Sequence, residues 1–294
     1  MDVSCFNPHD EAAGLRNCPK SIPAQPPVCF CALGKRGEAM GREMITSKAN
    51  PLLSRIRKLN SRRTFRREEG AFAAEGPKLL GEALRWGGEL EAVICASGVS
   101  LPELPARVRV AEVGDSLLAS IADTESPQGI VFICKGKDLT IPDRLTGGRY
   151  LVLDGVQDPG NVGTVWRTAD AFGADGLILC GGCADPWNPK TVRATMGAVF
   201  RLPAYECTLE IAAERLAAAG LPLYAAALRE DTVDIRTISL GRAAVVIGSE
   251  GRGVSREALA RCGKTVRIPM RDRCESLNAA VAASVVLWEM ARSD

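Results

Sequence analysis

The sequence predicts an α/β protein in which a small α/β domain precedes a larger domain built on a parallel sheet. Apolar segments of strand length alternate with segments of helical periodicity along most of the 294 residues, which is the pattern of α/β folds. The strand-like segments after residue 148 are continuously apolar, as expected for strands buried on both faces of a parallel sheet. We therefore divide the chain into an N-terminal extension (1–43), a small domain (44–140) and a larger domain (148–294).

The composition is that of a globular protein, with 46% hydrophobic and 24% charged residues. The formal net charge of +2 is too small to indicate a nucleic-acid partner by itself, so the distribution of charge matters more than its total. The sequence has neither an apolar segment of membrane-spanning length nor a secretion signal, which predicts a cytoplasmic protein. Its eleven cysteines are therefore expected to be reduced thiols.

Histidine chemistry is excluded from residues 44–294, because the single histidine of the sequence is His9. This excludes a serine–histidine or cysteine–histidine nucleophile pair and a histidine metal cluster. One C-x-x-C pair, Cys180 and Cys183, has no second pair or histidine nearby. Two small residues in a strand-to-loop turn are therefore favoured there over a zinc site, and no metal is predicted.

The extension mixes proline, glycine and cysteine without helical or strand periodicity, which predicts disorder. Met40 and Met44 are both plausible translation starts, and the sequence leaves open whether residues 1–43 are translated.

The small domain is predicted to open with a helix, because the apolar positions from Leu52 to Leu59 have helical spacing. No acidic residue occurs between Met44 and Arg67. The basic residues of this stretch are therefore candidates for a phosphate-binding surface: Lys48, Arg55, Arg57, Lys58, Arg62, Arg63, Arg66 and Arg67. A solvated helix face is the alternative, but such faces usually interleave glutamate with lysine, so phosphate contact is favoured.

The remaining elements follow from apolar runs and their spacing. In the small domain, strands are predicted at Ala71–Ala74, Ala92–Cys95 and Val131–Cys134. One further helix is predicted there at Pro77–Trp86. A hinge rich in glycine and proline spans Ile141–Gly148. Strands of the larger domain are predicted at Leu151–Leu153, Leu177–Cys180, Leu223–Ala227, Val245–Gly248 and Val266–Ile268. Helices are predicted at Val162–Phe172, Lys190–Phe200, Ile211–Ala219, Arg256–Cys262 and Leu277–Ala291.

Three clusters of polar residues and glycines follow predicted strands of the larger domain, at the carboxyl ends where open α/β sheets bind ligands. The first cluster, D-G-V-Q-D-P-G-N-V-G, begins at Asp154 and is followed by Arg167. Two of its glycines have the spacing of a phosphate-binding P-loop. However, Asn161 and Val162 stand where that loop requires lysine and serine or threonine, so a P-loop is rejected.

The second cluster, G-S-E-G-R-G-V-S, begins at Gly248 and does not match a dinucleotide-binding fingerprint. Its glycines around Glu250 suit close backbone approach to a flat ligand. The third cluster combines I-P-M at Ile268 with E-S-L-N, ahead of a nearly all-apolar helix that must be buried in the core or against another subunit. Helix capping alone would account for Ser255 and Ser276 but not for Glu250.

As a set, D-P-G-N-V-G-T-V-W-R-T-A, I-G-S-E-G-R-G-V and I-P-M with E-S-L-N resemble the three motifs of the SpoU-type, or TrmH-like, RNA ribose methyltransferases of the SPOUT superfamily. The segment N-P-K-T-V-R-A-T-M-G-A resembles the family's link between motifs. The resemblance covers roughly residues 150–294. Residues 44–140 resemble the small RNA-binding domain, similar to a ribosomal large-subunit protein, that precedes it in many members.

The resemblance implies a deep trefoil knot in the parallel-sheet domain, a homodimer, and S-adenosylmethionine as the cofactor. It implies cofactor contacts from residues that follow three strands: Ala227, Leu228, Gly248, Ser249, Glu250, Gly251, Ile268, Met270, Ser276, Leu277 and Asn278. The implied catalytic residues are Asn161, Arg167, Glu250, Ser276 and Asn278. RNA contacts are expected from the basic residues of the small domain and from Lys190 and Arg193.

The implied reaction is attack of a ribose 2′-oxygen on the sulfonium methyl group. Since arginine is always charged, Arg167 is doubtful as a base. We expect it to hold the adjacent phosphate and to stabilise the developing alkoxide, oriented by Asn161 and Glu250. Asp272 stands where many members have glycine, a departure that is expected to weaken cofactor binding or to alter the shape of the cofactor loop.

Ribosomal RNA is the expected substrate by analogy with members that carry such a small domain, and transfer RNA is an alternative that the motifs do not separate. A non-catalytic RNA-binding or ribosome-assembly protein is disfavoured because Asn161, Arg167 and Ser276 are all present. A nucleotide-binding enzyme is disfavoured by the failed P-loop and dinucleotide patterns. The target nucleotide cannot be read from one sequence.

Overall fold

Two sheets account for the strands of the computed structural model, which describes residues 42–230, 232–271, 273 and 276–293. The predicted disorder of the extension, up to residue 41, and the position of Asp272 lie outside the described residues. Within them, no helix is both long and apolar enough to cross a membrane.

The first sheet has five strands in the order β1-β4-β3-β5-β2, and β5 runs antiparallel to both of its neighbours. Its strands are β1 (Glu43–Ile45), β2 (Ala71–Glu75), β3 (Leu90–Ala96), β4 (Arg109–Val113) and β5 (Ile130–Lys135). The helices of this part are α1 (Pro51–Ser61), α2 (Arg63–Glu69), α3 (Pro77–Arg85) and α4 (Asp115–Ala119). The sequence predicted the core of this sheet but missed β1 and β4, and β1 takes in Glu43, which the sequence assigned to the extension.

Local chemistry explains where α1 begins and which face it buries. The Asn50 side chain accepts a hydrogen bond of 2.8 Å from the Leu52 amide, and Pro51 occupies the first helical position. The apolar residues at helical spacing are all buried: Leu52, Leu53, Ile56 and Leu59. The predicted helix and its buried face are therefore present in the structure.

The second sheet has seven strands, all parallel, in the order β10-β12-β9-β11-β6-β7-β8. Its strands are β6 (Arg149–Asp154), β7 (Gly176–Cys180), β8 (Ala204–Glu206), β9 (Leu223–Ala226), β10 (Val233–Asp234), β11 (Ala243–Gly248) and β12 (Lys264–Arg267). The helices are α5 (Pro159–Ala171), α6 (Pro189–Ala194), α7 (Ala198–Arg201), α8 (Leu209–Ala218), α9 (Arg256–Arg261) and α10 (Ala279–Arg292), with a 3₁₀ turn at Ile235–Thr237. The predicted α/β fold with a parallel sheet is confirmed.

The helix predicted at Lys190–Phe200 is wrong in one respect, because the chain forms two short helices there. Met196 has φ 50° and Gly197 has φ 95°, and these left-handed conformations end α6 before α7 begins. The apolar periodicity of the segment runs through this break, so the sequence pattern does not reveal it.

The two sheets are joined through a shared hydrophobic core. Phe72 on β2 stacks on Trp187, with ring centroids 5.0 Å apart and planes 5° apart, and also packs near Phe200. Trp166 on α5 packs against the other side of Trp187 at 6.3 Å. The same cluster of buried side chains contains Phe132 of the first sheet. Aromatic burial therefore fixes the small part against the larger one.

A buried ion pair crosses the same boundary. The Arg66 guanidinium, 3% exposed, contacts Asp185 through Nε at 2.7 Å and Nη2 at 2.6 Å. Its remaining nitrogen donates to the carbonyl of Leu59 at 2.5 Å. Both charges are thus out of water and hydrogen-bonded to each other.

Replacing Arg66 by leucine is expected to lower the free energy of unfolding by about 3–5 kcal/mol, because the Asp185 carboxylate would stay buried without its main partner. Arg63→Leu is the matched control, since Arg63 pairs with Glu206 at the exposed surface and its loss should cost about 1 kcal/mol or less. Urea unfolding of the full chain measures both. Equal losses in the two variants would contradict the assignment.

Candidate active site

The three polar clusters meet at the carboxyl edge of the parallel sheet. The side-chain amide of Asn161 donates a hydrogen bond of 2.6 Å to the Glu250 carboxylate. The side-chain amide of Asn278 donates to the Asn161 side-chain oxygen at 3.3 Å. In the sequence, Asn161 is 89 positions from Glu250 and 117 positions from Asn278. We call them, in the order Asn278–Asn161–Glu250, the polar chain.

Asn161 is held by the beginning of α5. Asp158 caps the helix by accepting a hydrogen bond of 2.8 Å from the Asn161 amide, and it also contacts Lys190 at 3.0 Å. Together these contacts lower the pKa of the Asp158 carboxyl below its ordinary value. A Cβ on Gly163 would overlap the Thr191 carbonyl oxygen, so glycine here allows α5 to pack closely on α6.

Glu250 lies at the tip of a tight loop after β11. Ser249 and Gly253 exchange backbone hydrogen bonds of 3.1 and 2.9 Å, and Gly253 has φ 66°. A Cβ on Gly248 would overlap the backbone of Gly253. In contrast, a Cβ on Gly251 would meet no atom within 4 Å. The loop backbone is therefore folded on one side and open on the other, which suits close approach of a ligand to its tip.

Asn278 has two roles, because its side-chain oxygen caps α10 while its amide group joins the polar chain. The oxygen accepts from the Ala280 amide at 2.9 Å and from the Val281 amide at 3.3 Å. The interpretation of Ser276 as the helix cap is therefore wrong, whereas Ser255 does cap α9, accepting from Ala258 at 3.1 Å. Asn278 is two residues nearer the helix, where its side chain reaches the free amides.

The residues predicted to bind the cofactor follow three adjacent strands. Ala227 follows β9, Gly248 ends β11 and Ile268 follows β12, and these strands are neighbours in the order β12-β9-β11. Three large apolar side chains are exposed there: Leu228 (70% exposed), Met270 and Leu277. Exposed apolar side chains beside open loop backbone fit a ligand with a flat ring.

A cavity of about 600 Å³ lies on the other side of the β11 loop. It is lined by residues that follow β6, β7 and β11, among them Gln157, Gly181, Ser249, Glu250, Arg252 and Arg256. Its floor includes the buried Asp154 carboxylate, which accepts from the Ser255 amide at 2.7 Å. Ser249, Glu250 and Gly251 thus border this cavity as well as the predicted cofactor region.

Arg167 is exposed on α5, six residues after Asn161 and thus about 9 Å farther along the helix axis. Its guanidinium has no hydrogen-bond or ion-pair partner within the described part of the chain. Asn161 and Glu250 bond to each other, and the expected orientation of Arg167 by these two residues is not seen. Ser276 is exposed and has no side-chain partner among the described residues.

The predicted phosphate-binding residues differ in availability, because acidic residues distant in sequence pair with several of them. Arg55 bridges Glu69 and Glu91, each at 2.7 Å. The prediction that Arg66 binds phosphate is wrong, since its buried guanidinium is engaged by Asp185 and by the carbonyl of Leu59. Other predicted residues are also engaged: Arg57 by backbone carbonyls, Arg63 and Arg67 by Glu206, Lys190 by Asp158, and Arg193 by Asp123.

Three residues of that surface are exposed without an ion-pair partner among the described residues. They are Lys48, Lys58 and Arg62; of these, Lys58 lies over the Phe65 ring at 5.4 Å. The prediction from the lack of nearby acidic residues therefore overestimated how many basic residues of this surface are available to phosphate.

The sequence interpretation passed over several residues that the structure brings to the site. Asp158 caps α5, and Gln157, Arg252 and Arg256 line the cavity. All four lie in or directly beside the quoted clusters, so proximity to those clusters was an available signal. Asp185, in contrast, offered no local signal, because its partner Arg66 is 119 residues away.

The Cys180–Cys183 pair is engaged within the protein. The Cys183 thiol donates to the carbonyls of Leu153 and Cys180 at 3.3 and 3.0 Å, and burial raises its pKa to about 11. No group of three or more potential metal ligands occurs among the residues that the structure describes.

Comparison with protein families gives matches to both parts of the chain. Residues 148–288 match the model of the SpoU rRNA methylase family. Residues 50–131 match the model of the MRM3-like substrate binding domain. The first match contains all seven strands of the second sheet, and the second match contains β2, β3 and β4 of the first sheet.

Individual relatives match over most of their length. The chain is 30% identical over 249 residues to the 23S rRNA (guanosine(2553)-2′-O)-methyltransferase RlmP of Bacillus subtilis, covering 84% of this chain and 99% of the relative. An AdoMet-bound rRNA methyltransferase from Sinorhizobium meliloti has a TM-score of 0.76 and 35% identity, covering 85% and 97% of the two chains. The SpoU methyltransferase AviRb of Streptomyces viridochromogenes, in complex with AdoMet, has a TM-score of 0.75 and 28% identity, covering 83% and 97%.

Gly248→Ala is expected to lower the melting temperature and to displace the β11 loop, because the added methyl group would overlap the backbone of Gly253. Gly251→Ala is the matched control, since its added methyl group would meet no atom and the melting temperature should stay within a degree or two. Hydrogen exchange of residues 249–253 would rise only in the first variant. Equal behaviour of the two variants would contradict the loop geometry.

Proposed function

The chain belongs to the SpoU rRNA methylase family, and on that premise we propose that it methylates a ribose 2′-hydroxyl of 23S-type ribosomal RNA. It is an RNA ribose methyltransferase whose cofactor is S-adenosylmethionine. The observation that carries the proposal is the polar chain, which joins all three motifs at one sheet edge. Transfer RNA remains the alternative substrate and a non-catalytic assembly factor the alternative role.

S-Adenosylmethionine, when bound, supplies an electrophilic methyl group on a sulfonium centre. We propose that the backbone after β9, β11 and β12 binds it, from Ala227–Leu228, Gly248–Gly251, Ile268–Met270 and Ser276–Asn278. The exposed side chains of Leu228, Met270 and Leu277 would lose their contact with water in that complex. Burial of apolar side chains and backbone hydrogen bonds together would fix the cofactor's orientation.

The polar chain would position the reacting groups. The Asn161 side chain donates a hydrogen bond from its amide group to Glu250 and accepts one at its oxygen from Asn278, so each of the three side chains fixes the position of the next. A preformed arrangement of this kind lowers the entropy lost when donor and acceptor are aligned. Ser276 lies two residues before Asn278 and does not belong to the polar chain. It is close enough in sequence to help position the reacting groups.

Arg167 would act on the RNA rather than on the polar chain. Its guanidinium is exposed and has no partner in the described part of the chain, so its donors are available. The planar fork can hold the phosphate next to the target ribose and stabilise the alkoxide that develops on the 2′-oxygen.

RNA would lie across the small part and reach the site at the sheet edge. Lys48, Lys58 and Arg62 are the predicted contacts with the most available charge. The other predicted contacts would have to exchange carboxylate or carbonyl partners for phosphates, which lowers their contribution to the free energy of RNA binding. They are Arg55, Arg57, Arg63, Arg67, Lys190 and Arg193. The preference for ribosomal RNA rests on relatives whose names specify it.

We further propose that the protein is a cytoplasmic homodimer with a trefoil knot. One face of α10 is in the core, while Val281 (49% exposed) and Trp288 (55% exposed) project from the other face. These residues are seven apart and share one side of the helix.

Arg167→Ala is expected to lower methyl transfer by about two to three orders of magnitude, as the loss of a charge-stabilising donor does in other enzymes. Labelled S-adenosylmethionine and total RNA from a deletion strain measure it. Label should appear in large-subunit ribosomal RNA as an alkali-resistant dinucleotide. Arg242→Ala is the control, since Arg242 is exposed at the amino end of β11, away from the site.

Other outcomes separate the alternatives. Label in transfer RNA would overturn the substrate but keep the reaction. No label in any RNA, although the cofactor binds, would favour the assembly-factor role. Near-normal turnover of Arg167→Lys with intact cofactor binding would contradict the argument from the guanidinium fork.

Trp288→Asp is expected to convert a dimer to a monomer, because it would bury a charge in the proposed interface. Ile211→Asp is the matched control, as Ile211 is an exposed apolar residue on α8. Light scattering after size-exclusion chromatography measures the mass. A wild-type monomer, or a dimer that Trp288→Asp leaves intact, would contradict the interface.

A further inference from the structure

We infer that the cavity beside the β11 loop is the subsite for the acceptor nucleotide, and that Arg252 and Arg256 bind the RNA phosphates flanking it. The ligand class is a ribonucleotide within a single-stranded or unpaired stretch of RNA. This inference rests on the proposed function, since it assigns a position to the acceptor of that reaction.

The order of the strands separates donor and acceptor. The residues predicted to bind the cofactor follow β9, β11 and β12, all on one side of the β11 loop or within it. The cavity of about 600 Å³ is bounded by residues that follow β6, β7 and β11, on the opposite side. Glu250, at the loop tip, borders both regions and bonds to Asn161. An acceptor in this cavity would therefore meet the donor at the polar chain.

Two arginines of the cavity are available to a phosphate. The lining also carries three carboxylates: Asp154 accepts from the Ser255 amide, Glu250 accepts from Asn161, and Glu257 lies 3.7 Å from Arg261. Arg252 and Arg256 are exposed and have no ion-pair partner among the residues described. Two guanidinium groups at the rim that are not paired with these carboxylates suit binding of backbone phosphates.

The size of the cavity fits one nucleotide with its flanking groups, since ligand cavities of about 300–1,000 Å³ bury most of a ligand of that size. Gln157 and Ser249 on the lining offer amide and hydroxyl groups that can hydrogen-bond to a base or ribose. A base turned out of its stack could therefore be held beside the polar chain.

A second cavity lies between this subsite and the small part of the protein. It has a volume of about 830 Å³ and lies between α2, the segment after β5 and the ends of β7 and β8. Gly181 lines both cavities. Arg63, Arg67 and Lys137 line the second one, next to the predicted RNA-binding face. An RNA strand can thus run from that face past Gly181 to the acceptor subsite.

The test measures RNA and cofactor separately, on the full chain, with large-subunit ribosomal RNA from a deletion strain. Arg252→Ala and Arg256→Ala are compared with Arg242→Ala, an exposed arginine at the amino end of β11. Each of the first two should raise the KM for RNA by about tenfold, the effect of losing one charge-assisted hydrogen bond. The KM for S-adenosylmethionine and the melting temperature should not change.

Salt dependence provides a second readout that a merely structural role would not move. In fluorescence anisotropy of RNA binding, the slope of log affinity against log salt should become shallower by about 0.7 for each lost phosphate contact. Arg252→Lys should keep most of the slope, because lysine retains the charge. The control variant should leave the slope unchanged.

Two results would overturn the inference. One is a KM for RNA and a salt slope that neither alanine variant alters. The other is a raised KM for S-adenosylmethionine with unaltered RNA binding, which would make the cavity part of the cofactor site. If the wild type binds RNA but transfers no methyl group, the proposed function fails, and the anisotropy slopes still decide whether the two arginines bind phosphates.

Discussion

The two hydrogen bonds of the Asn161 side chain are the interaction on which the proposed active site depends. One bond reaches the loop after β11 and the other reaches the residue that caps α10. Parallel strands make this possible, since they bring the ends of distant segments to a single edge. Removal of either bond would leave the β11 loop and the start of α10 without a side-chain link through Asn161.

The arrangement of the sheet divides the tasks of the site between two sides of one loop. The side towards β9 and β12 carries exposed apolar residues and open backbone, which suit the cofactor. The side towards β6 and β7 carries a polar cavity whose two arginines have no ion-pair partner within the described part of the chain, which suits RNA. The stacked Phe72 and Trp187 and the buried Arg66–Asp185 pair fix the small part of the protein against the larger one.

Sequence patterns predicted the features that depend on local chemistry. The buried face of α1, the parallel sheet and the three clusters at the carboxyl ends of strands are all readable from spacing and composition. Features that depend on distant partners were missed. Arg66 appeared available because Asp185 is 119 residues away, and the continuous apolar pattern hid the break at Met196. Ser276 was interpreted as a capping residue because the helix was predicted to begin at Leu277, two residues before α10 begins.

The most direct test of the polar chain is a double-mutant cycle on methyl transfer with Asn161→Ala, Glu250→Ala and the double variant. When two side chains act as a unit, removing either one already abolishes their joint contribution to catalysis. The activation free energies added by the two single substitutions then do not sum in the double variant. Our account predicts that the double variant loses little more activity than the more damaging single variant, while all three keep the wild-type melting temperature. A loss equal to the product of the two single losses would contradict it, because the two residues would then act independently.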